Sequence, residues 1–531
     1  MGNYCASVMG IRVKEDIDPI NAPQPYDASY ESYRTQFDNA SEREAMLDRG
    51  RELQKKEPSD GTRGCCCCRC SPFACLLTQI CCIGCWSIVL FYVLAILIIY
   101  FGVSNDFQLW ALQQPENLVV KLLLPPVEIA ESLACGQTQK LSAMQYAHGY
   151  NYAHAGMIWL TAASDIEQEV LAPQKRTWQL GEHPLISSHM PSMAEGRNVF
   201  PLALSDTGAG GSGAHEAYVN CFKAYLLGAA MDTRFKDATA QSLITQLVAE
   251  YKTTAHELNT DEFWTSSDKG LLPFTIKYLH YVCFGLDPNN AENYEILKAW
   301  YDGSSQMSYY LDPFGWAMGS TADVINRVAD LYEVSPAFAN FQVETQYDSM
   351  TKRELAMMCT SIFRLAGVQG FKQSASIVLG AWPLAGQAMY PASPEVNQFD
   401  QRSVLDTLDL SNTDEVLDYI TECTRLDSPV SVTHRVLTEP LTHEFGDHAI
   451  TFPAGTKVAI PLALGNVDEA LWGSTSYQFD MKRDLLHSKY MSFNSIGTQS
   501  GGRECPGKWL TQQALIKLVQ QIGQARRDTA R

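Results

Sequence analysis

Near its C-terminal end the chain reads FNSIGTQSGGRECPG, Phe493 to Gly507, which sets one cysteine, Cys505, in a glycine-rich loop. Gly501 and Gly502 precede it, Gly507 follows it, and a run that fits a helix, Lys508 to Gln524, begins directly behind. Cysteine ligates a metal as the thiolate, and a helix N-terminus beside Arg503 favours that form. Glycines let a loop backbone come close to a flat cofactor. Upstream, Glu422 and Arg425 in YITECTRLDSPV stand one helical turn apart on a shared face, and Pro429 then ends that helix. Taken singly, a lone cysteine reads as a small buried apolar residue and the E-x-x-R pair as a surface ion pair. Their order decides otherwise: E-x-x-R is followed, about eighty residues later, by G-G-R-x-C-x-G.

That succession resembles the cytochrome P450 haem-thiolate family. Between the two motifs, FDMKR (Phe479 to Arg483) resembles the family's meander, with Met481 where proline is usual. The resemblance implies haem b with Cys505 as the axial ligand to iron, a role open to a cysteine thiolate. It implies that Arg483 joins Glu422 and Arg425 in a buried network supporting the haem face. It also matches Arg435, in VTHRVLTE, and Arg503 to the arginines aimed at the two propionates, with Gly507 in the cofactor loop. The implied fold is mainly α with a small β-rich patch, a cytochrome P450-like fold behind an N-terminal transmembrane helix.

Which chemistry follows depends on the central helix, RLAGVQGFK (Arg364 to Lys372). Monooxygenases of this family carry [AG]-G-x-[DE]-[TS] there, an acid-alcohol pair that delivers protons. Ala366 and Gly367 match, but Gln369 replaces the acid and Gly370 the alcohol, and these two cannot relay a proton at neutral pH. The departure resembles the allene oxide synthase and hydroperoxide lyase branch, which converts fatty acid hydroperoxides without O2 or a reductase. HMPSM (His189 to Met193), AHEAYVNCFK and YLHYVCFGLDPNN (Tyr278 to Asn290) resemble segments of that branch, as does Thr498 in place of the wider family's phenylalanine. The branch's asparagine near the iron is missing: Arg364 or Ala366 falls there. Arg503 stands where the branch usually has lysine. With only twenty-six residues after Cys505, the β-hairpin that borders the substrate cavity in the family is expected to be absent. Ala366, Gly367 and Gln369 are expected to line the distal side. Three readings stay open: a hydroperoxide isomerase or lyase, a monooxygenase needing a reductase, and a haem protein without turnover. The expected small-molecule partner is a lipid hydroperoxide or another apolar molecule.

The composition fits these readings. The chain has 531 residues, 46% apolar and 19% charged, as expected for a large core. A net charge of -19 argues against nucleic acid as a partner. Residues 1–71 read as a polar, cysteine-ended tail without stable structure, placed in the cytosol. MGNYCAS meets the myristoylation pattern in part and Cys5 suits palmitoylation, so acylation stays open. Nine of the 16 cysteines crowd between Cys65 and Cys85, a spacing that fits palmitoylation beside a membrane better than disulfides or zinc. Residues 72–105 contain WSIVLFYVLAILIIYFGV and read as one transmembrane helix, making a single-pass membrane protein. Lys55, Lys56, Arg63 and Arg69 precede that helix, while the first basic residue after it is Lys121. The positive-inside rule puts residues 106–531 across the membrane, whereas the family usually keeps its haem domain in the cytosol, so the side stays open. GAGGSG (Gly208 to Gly213) matches a dinucleotide-binding pattern but lacks the following strand and reads as a loop. His443 and His448 read as ordinary surface residues.

Overall fold

The computed structural model describes residues 150–154, 157–172, 201, 204, 214–254, 262–301, 321–342, 350–384, 399–437, 439–445 and 448–530. The acylation motif, the cysteine clusters, the apolar run 72–105, HMPSM and the GAGGSG loop lie outside the described residues. No helix among the described residues is long and apolar enough to cross a membrane.

Helices dominate. The longer ones among the described residues are α1 (Ala163–Leu171), α2 (Ala214–Leu226), α3 (Ala229–Lys236), α4 (Ala238–Thr254), α5 (Leu271–Phe284), α6 (Ala291–Tyr301), α7 (Thr321–Glu333), α8 (Lys352–Ile362), α9 (Gly370–Leu379), α10 (Thr413–Leu426) and α11 (Lys508–Ala530). The strands are β1 (Tyr152–His154), β2 (Met157–Trp159), β3 (Thr433–Val436), β4 (Leu441–Phe445), β5 (His448–Phe452), β6 (Lys457–Ile460), β7 (Met491–Ser492) and β8 (Ser495–Ile496). One sheet runs β1-β2-β6-β3, with β2 and β6 parallel and the other pairs antiparallel. β4–β5 and β7–β8 are separate hairpins. The chain is thus mainly α with a small β patch.

The apolar patterns explain the layers. Twelve of the 14 residues of α5 are buried, which marks an interior helix. It packs against α3, α4, α6 and α9. The other central helix starts at α8 with a capping box: Glu354 N–H donates to Thr351 Oγ1 at 3.1 Å, and Thr351 N–H to Glu354 Oε2 at 2.9 Å. It then widens to a π-helix at Phe363–Gln369 before resuming as α9. The sequence periodicity anticipates no such change.

Apolar periodicity predicts one helix over His215 to Met231 and a strand-like run in KVAIPLAL, Lys457 to Leu464, and the structure differs at both. The run His215 to Met231 is not one helix but α2 and α3, because Gly228 takes extended backbone between them. KVAIPLAL is only half strand: Pro461 has no N–H for the ladder, and a short helix, Leu462–Gly465, follows.

Where α5, α6 and α7 meet, His280 is buried with Tyr301 and Tyr332. Its Nδ1 donates to the Ile276 carbonyl at 2.6 Å, leaving Nε2 to accept from Tyr332 at 2.8 Å or Tyr301 at 3.1 Å. Burial, opposed by the Ile276 contact, pushes the imidazole down to about 4 from 6.5. The unfolded chain therefore binds the proton first as pH falls. This contribution to stability is present above pH 6.5 and is lost toward pH 4, up to about 3 kcal/mol. His280→Gln should flatten stability against pH in that window, as denaturant unfolding at pH 7 and pH 5 would show.

Candidate functional site

The acidic and basic residues of α10 are not a surface pair. Glu422 and Arg425 are both fully buried, and the carboxylate takes Arg425 Nε at 2.7 Å and Nη2 at 2.8 Å. Arg483 Nε adds a bond to Glu422 Oε1 at 3.2 Å, and the Asp480 N–H another at 2.8 Å. Arg425 Nη1 donates to the carbonyls of Asn466 at 2.6 Å and Ser476 at 2.7 Å. The guanidinium also lies 4.9 Å from the Trp472 ring centre. One carboxylate thus serves two guanidinium groups, and all three side chains make further hydrogen bonds, the condition under which a buried ion group is tolerated. The network ties α10 to the 466–483 segment, and α10 also packs on α9 and α11.

At the head of α11, Cys505 is half-buried. Its N–H donates to the Phe493 carbonyl at 2.8 Å and its carbonyl accepts from the Lys508 N–H at 3.2 Å, while the N–H groups of Gly507 and Lys508 also favour the anionic sulfur. Burial is the largest influence and pushes the thiol up; those N–H groups and the Lys508 cation pull it down, while Glu504 pushes it up again. The helix start therefore acts as the sequence suggests, but the net direction is opposite. Nor is Arg503 the neighbouring cation: its Nη2 donates to the Leu204 carbonyl at 2.7 Å. Lys508 takes that place, held by Glu504 at 2.7 Å, the Gly497 carbonyl at 2.8 Å and Ser495 at 3.1 Å.

The tight β7–β8 hairpin fixes the loop from the other side. Both turn residues are left-handed, Phe493 with φ 53° and Asn494 with φ 57°, as a two-residue hairpin of this twist requires. Phenylalanine is a poor fit for that backbone, so the neighbourhood holds it there. Asn494 accepts from Arg435 Nη2 and donates Nδ2 to the Arg503 carbonyl at 2.8 Å. It thereby joins the two arginines that the sequence singles out. Sequence reading misses Asn494; the only local signal is its place at the turn. Gly502 needs φ 92°. Gly501 is small for a different reason than cofactor approach: a Cβ would meet the Leu171 carbonyl oxygen at 2.7 Å.

Three observations fit a flat, anionic cofactor on Cys505. A Cβ on Gly507 would meet only Cys505 Sγ, at 3.7 Å, so space is open beside the sulfur. Arg435 and Arg503 are both buried cations; Asn494 bonds the side chain of the first and the main-chain carbonyl of the second. The Tyr218 hydroxyl on α2 is buried with no hydrogen-bond partner among the described residues, and burial, with Cys359 and Cys505 nearby, holds it well above its ordinary range.

Ala366, Gly367 and Gln369 all fall on the π-helical stretch. Ala366 is exposed and the other two are half-buried. Gln369 Nε2 donates to the Tyr301 carbonyl at 3.0 Å. His443 is not the ordinary surface residue expected. It is half-buried, with Nε2 2.8 Å from Asn151 and 3.3 Å from Asp165. Among the described residues no cluster of His, Cys, Asp and Glu could hold a metal ion.

No family model matches the chain, and no curated protein matches it. Among solved structures it is similar to a substrate-free cytochrome P450 of Mycobacterium marinum, at 13% identity over 73% of this chain and 85% of that one, TM-score 0.46. It is similar to a cytochrome P450 of Chondromyces apiculatus at 16% identity, over 73% and 86%, TM-score 0.45. A third is the P450 RauA complexed with a biosynthetic intermediate of aurachin RE, at 13% identity over 72% and 88%, TM-score 0.49.

Proposed function

We propose that the chain is a haem-thiolate enzyme of cytochrome P450 type, with Cys505 as the axial ligand, that converts lipid hydroperoxides by isomerisation or cleavage. The observation that carries the haem reading is the Cys505 loop itself: sulfur just ahead of a helix start whose N–H groups favour its anionic form, open space beside Gly507, and two buried arginines, Arg435 and Arg503, each bonded to Asn494, the first by its side chain and the second by its main-chain carbonyl. Bound there, a thiolate-ligated haem supplies the electron density that favours O–O cleavage.

The protein's own residues do the rest. The N–H groups of Gly507 and Lys508 hold the sulfur and favour its anionic form. Arg435 and Arg503 would balance the carboxylates of the cofactor, and Asn494 ties the Arg435 side chain to the main chain at Arg503. The buried Glu422–Arg425–Arg483 group keeps the supporting segment rigid. What favours peroxide chemistry over O2 activation is the middle of the central helix. Gln369 spends its amide on the Tyr301 carbonyl, and Gly370 has no hydroxyl, so neither holds a proton to deliver. Membrane attachment through residues 72–105 belongs to the same proposal and rests on composition alone.

The test is to give the ferric protein a polyunsaturated fatty acid hydroperoxide without O2, reductant or reductase. Loss of the conjugated diene, absent in Cys505→Ala, is the expected result. No loss from protein with thiolate-bound haem sinks the hydroperoxide reading. Consumption of NADPH with an added reductase would then establish a monooxygenase, and ligand-binding spectra without product a protein that only binds.

A further inference from the structure

Two adjacent residues at the end of α6 grip the widened stretch of the central helix. Trp300 Nε1 donates to the Thr360 carbonyl at 2.9 Å, and the Arg364 guanidinium lies 4.1 Å from the Trp300 ring centre. Tyr301 takes Gln369 Nε2 on its main-chain carbonyl at 3.0 Å. Its own hydroxyl is fixed by Tyr332 at 2.7 Å and His280 at 3.1 Å. Both anchors are buried.

The spacing of what they hold is informative. Arg364 and Gln369 are five residues apart. In an α-helix five residues turn about 500°, which leaves the two side chains about 140° apart. In a π-turn, bonded from i to i+5, five residues close roughly one turn and bring both to one side. Neighbouring anchors reach both side chains only in the wider form. We propose that Trp300 and Tyr301 are positioning residues that hold 363–369 in π geometry and so set the face that Ala366 and Gly367 present. That this face serves chemistry rests on the haem reading; the helix geometry does not.

Hydrogen–deuterium exchange on the full-length chain tests this without any cofactor chemistry. Trp300→Leu removes both contacts, and amides 363–369 should exchange about tenfold faster while α11 is unchanged. Trp300→Phe keeps a ring under Arg364 and should fall between. Should Trp300→Leu also loosen α11, the variant is unfolding as a whole and Gln369→Leu decides, with the same local acceleration expected. Deleting Ala366 removes the extra residue of the wide turn, and on that background Trp300→Leu should no longer change exchange at 363–369. Unchanged exchange in both point variants, or an equal effect of Trp300→Leu with and without the deletion, overturns the proposal. Local acceleration in a protein that binds no haem would sustain it while the haem reading fails.

Discussion

Glu422→Ala should cost about 3–5 kcal/mol, because it leaves the Arg425 guanidinium buried without its carboxylate. Arg425 is fully buried, and Glu422 is the only carboxylate that an ion pair gives it among the described residues. The Arg483 bond and the Asp480 N–H lose the same acceptor. With typical domains stable by only 5–15 kcal/mol, about half of that margin goes in one substitution. Arg425→Lys should be nearly as damaging. A lysine cannot reproduce the bidentate contact together with the two carbonyl bonds to Asn466 and Ser476. Soluble yield and thermal unfolding measure both. A melting curve unchanged in Glu422→Ala would mean that the triad contributes nothing to the fold.

Cys505→Ala should have the opposite profile, large in function and small in stability. The side chain is half-buried, and its N–H, which makes the bond to the Phe493 carbonyl, survives the change. Melting should therefore shift by only about 1 kcal/mol in equivalent free energy. On the proposed reading, hydroperoxide conversion should fall to the level of free haem, since the variant would lack the thiolate that tunes O–O cleavage. Asn494→Ala is the companion variant. It should keep the sulfur ligand while weakening cofactor retention, because Arg435 and the Arg503 carbonyl lose their shared partner.

How far the sequence carries the reader varies with the residue. E-x-x-R is legible because spacing alone puts both side chains on one face, and the carbonyls that bury it come from a segment the motif does not contain. Cys505 is legible from its loop, but the direction of its acidity is not. Burial, which depends on everything packed around the loop, outweighs the local helix start. Asn494 and Tyr218 carry no motif: one matters through a left-handed turn, the other through an unsatisfied hydroxyl. The π-helix is hidden for a related reason. Its contacts come from Trp300 and Tyr301, more than sixty residues upstream of most of the residues they hold, and no local period records them. Pro461, by contrast, announces the end of β6 to anyone reading the chain.

In the proposed enzyme Cys505 places sulfur on a haem iron. X-ray absorption at the iron edge, on full-length protein reconstituted with haem, reads that bond directly. Sulfur scattering in the wild-type protein, lost in Cys505→Ala, is the result expected. Haem held through nitrogen or oxygen ligands alone, or the same iron environment in both proteins, would contradict it.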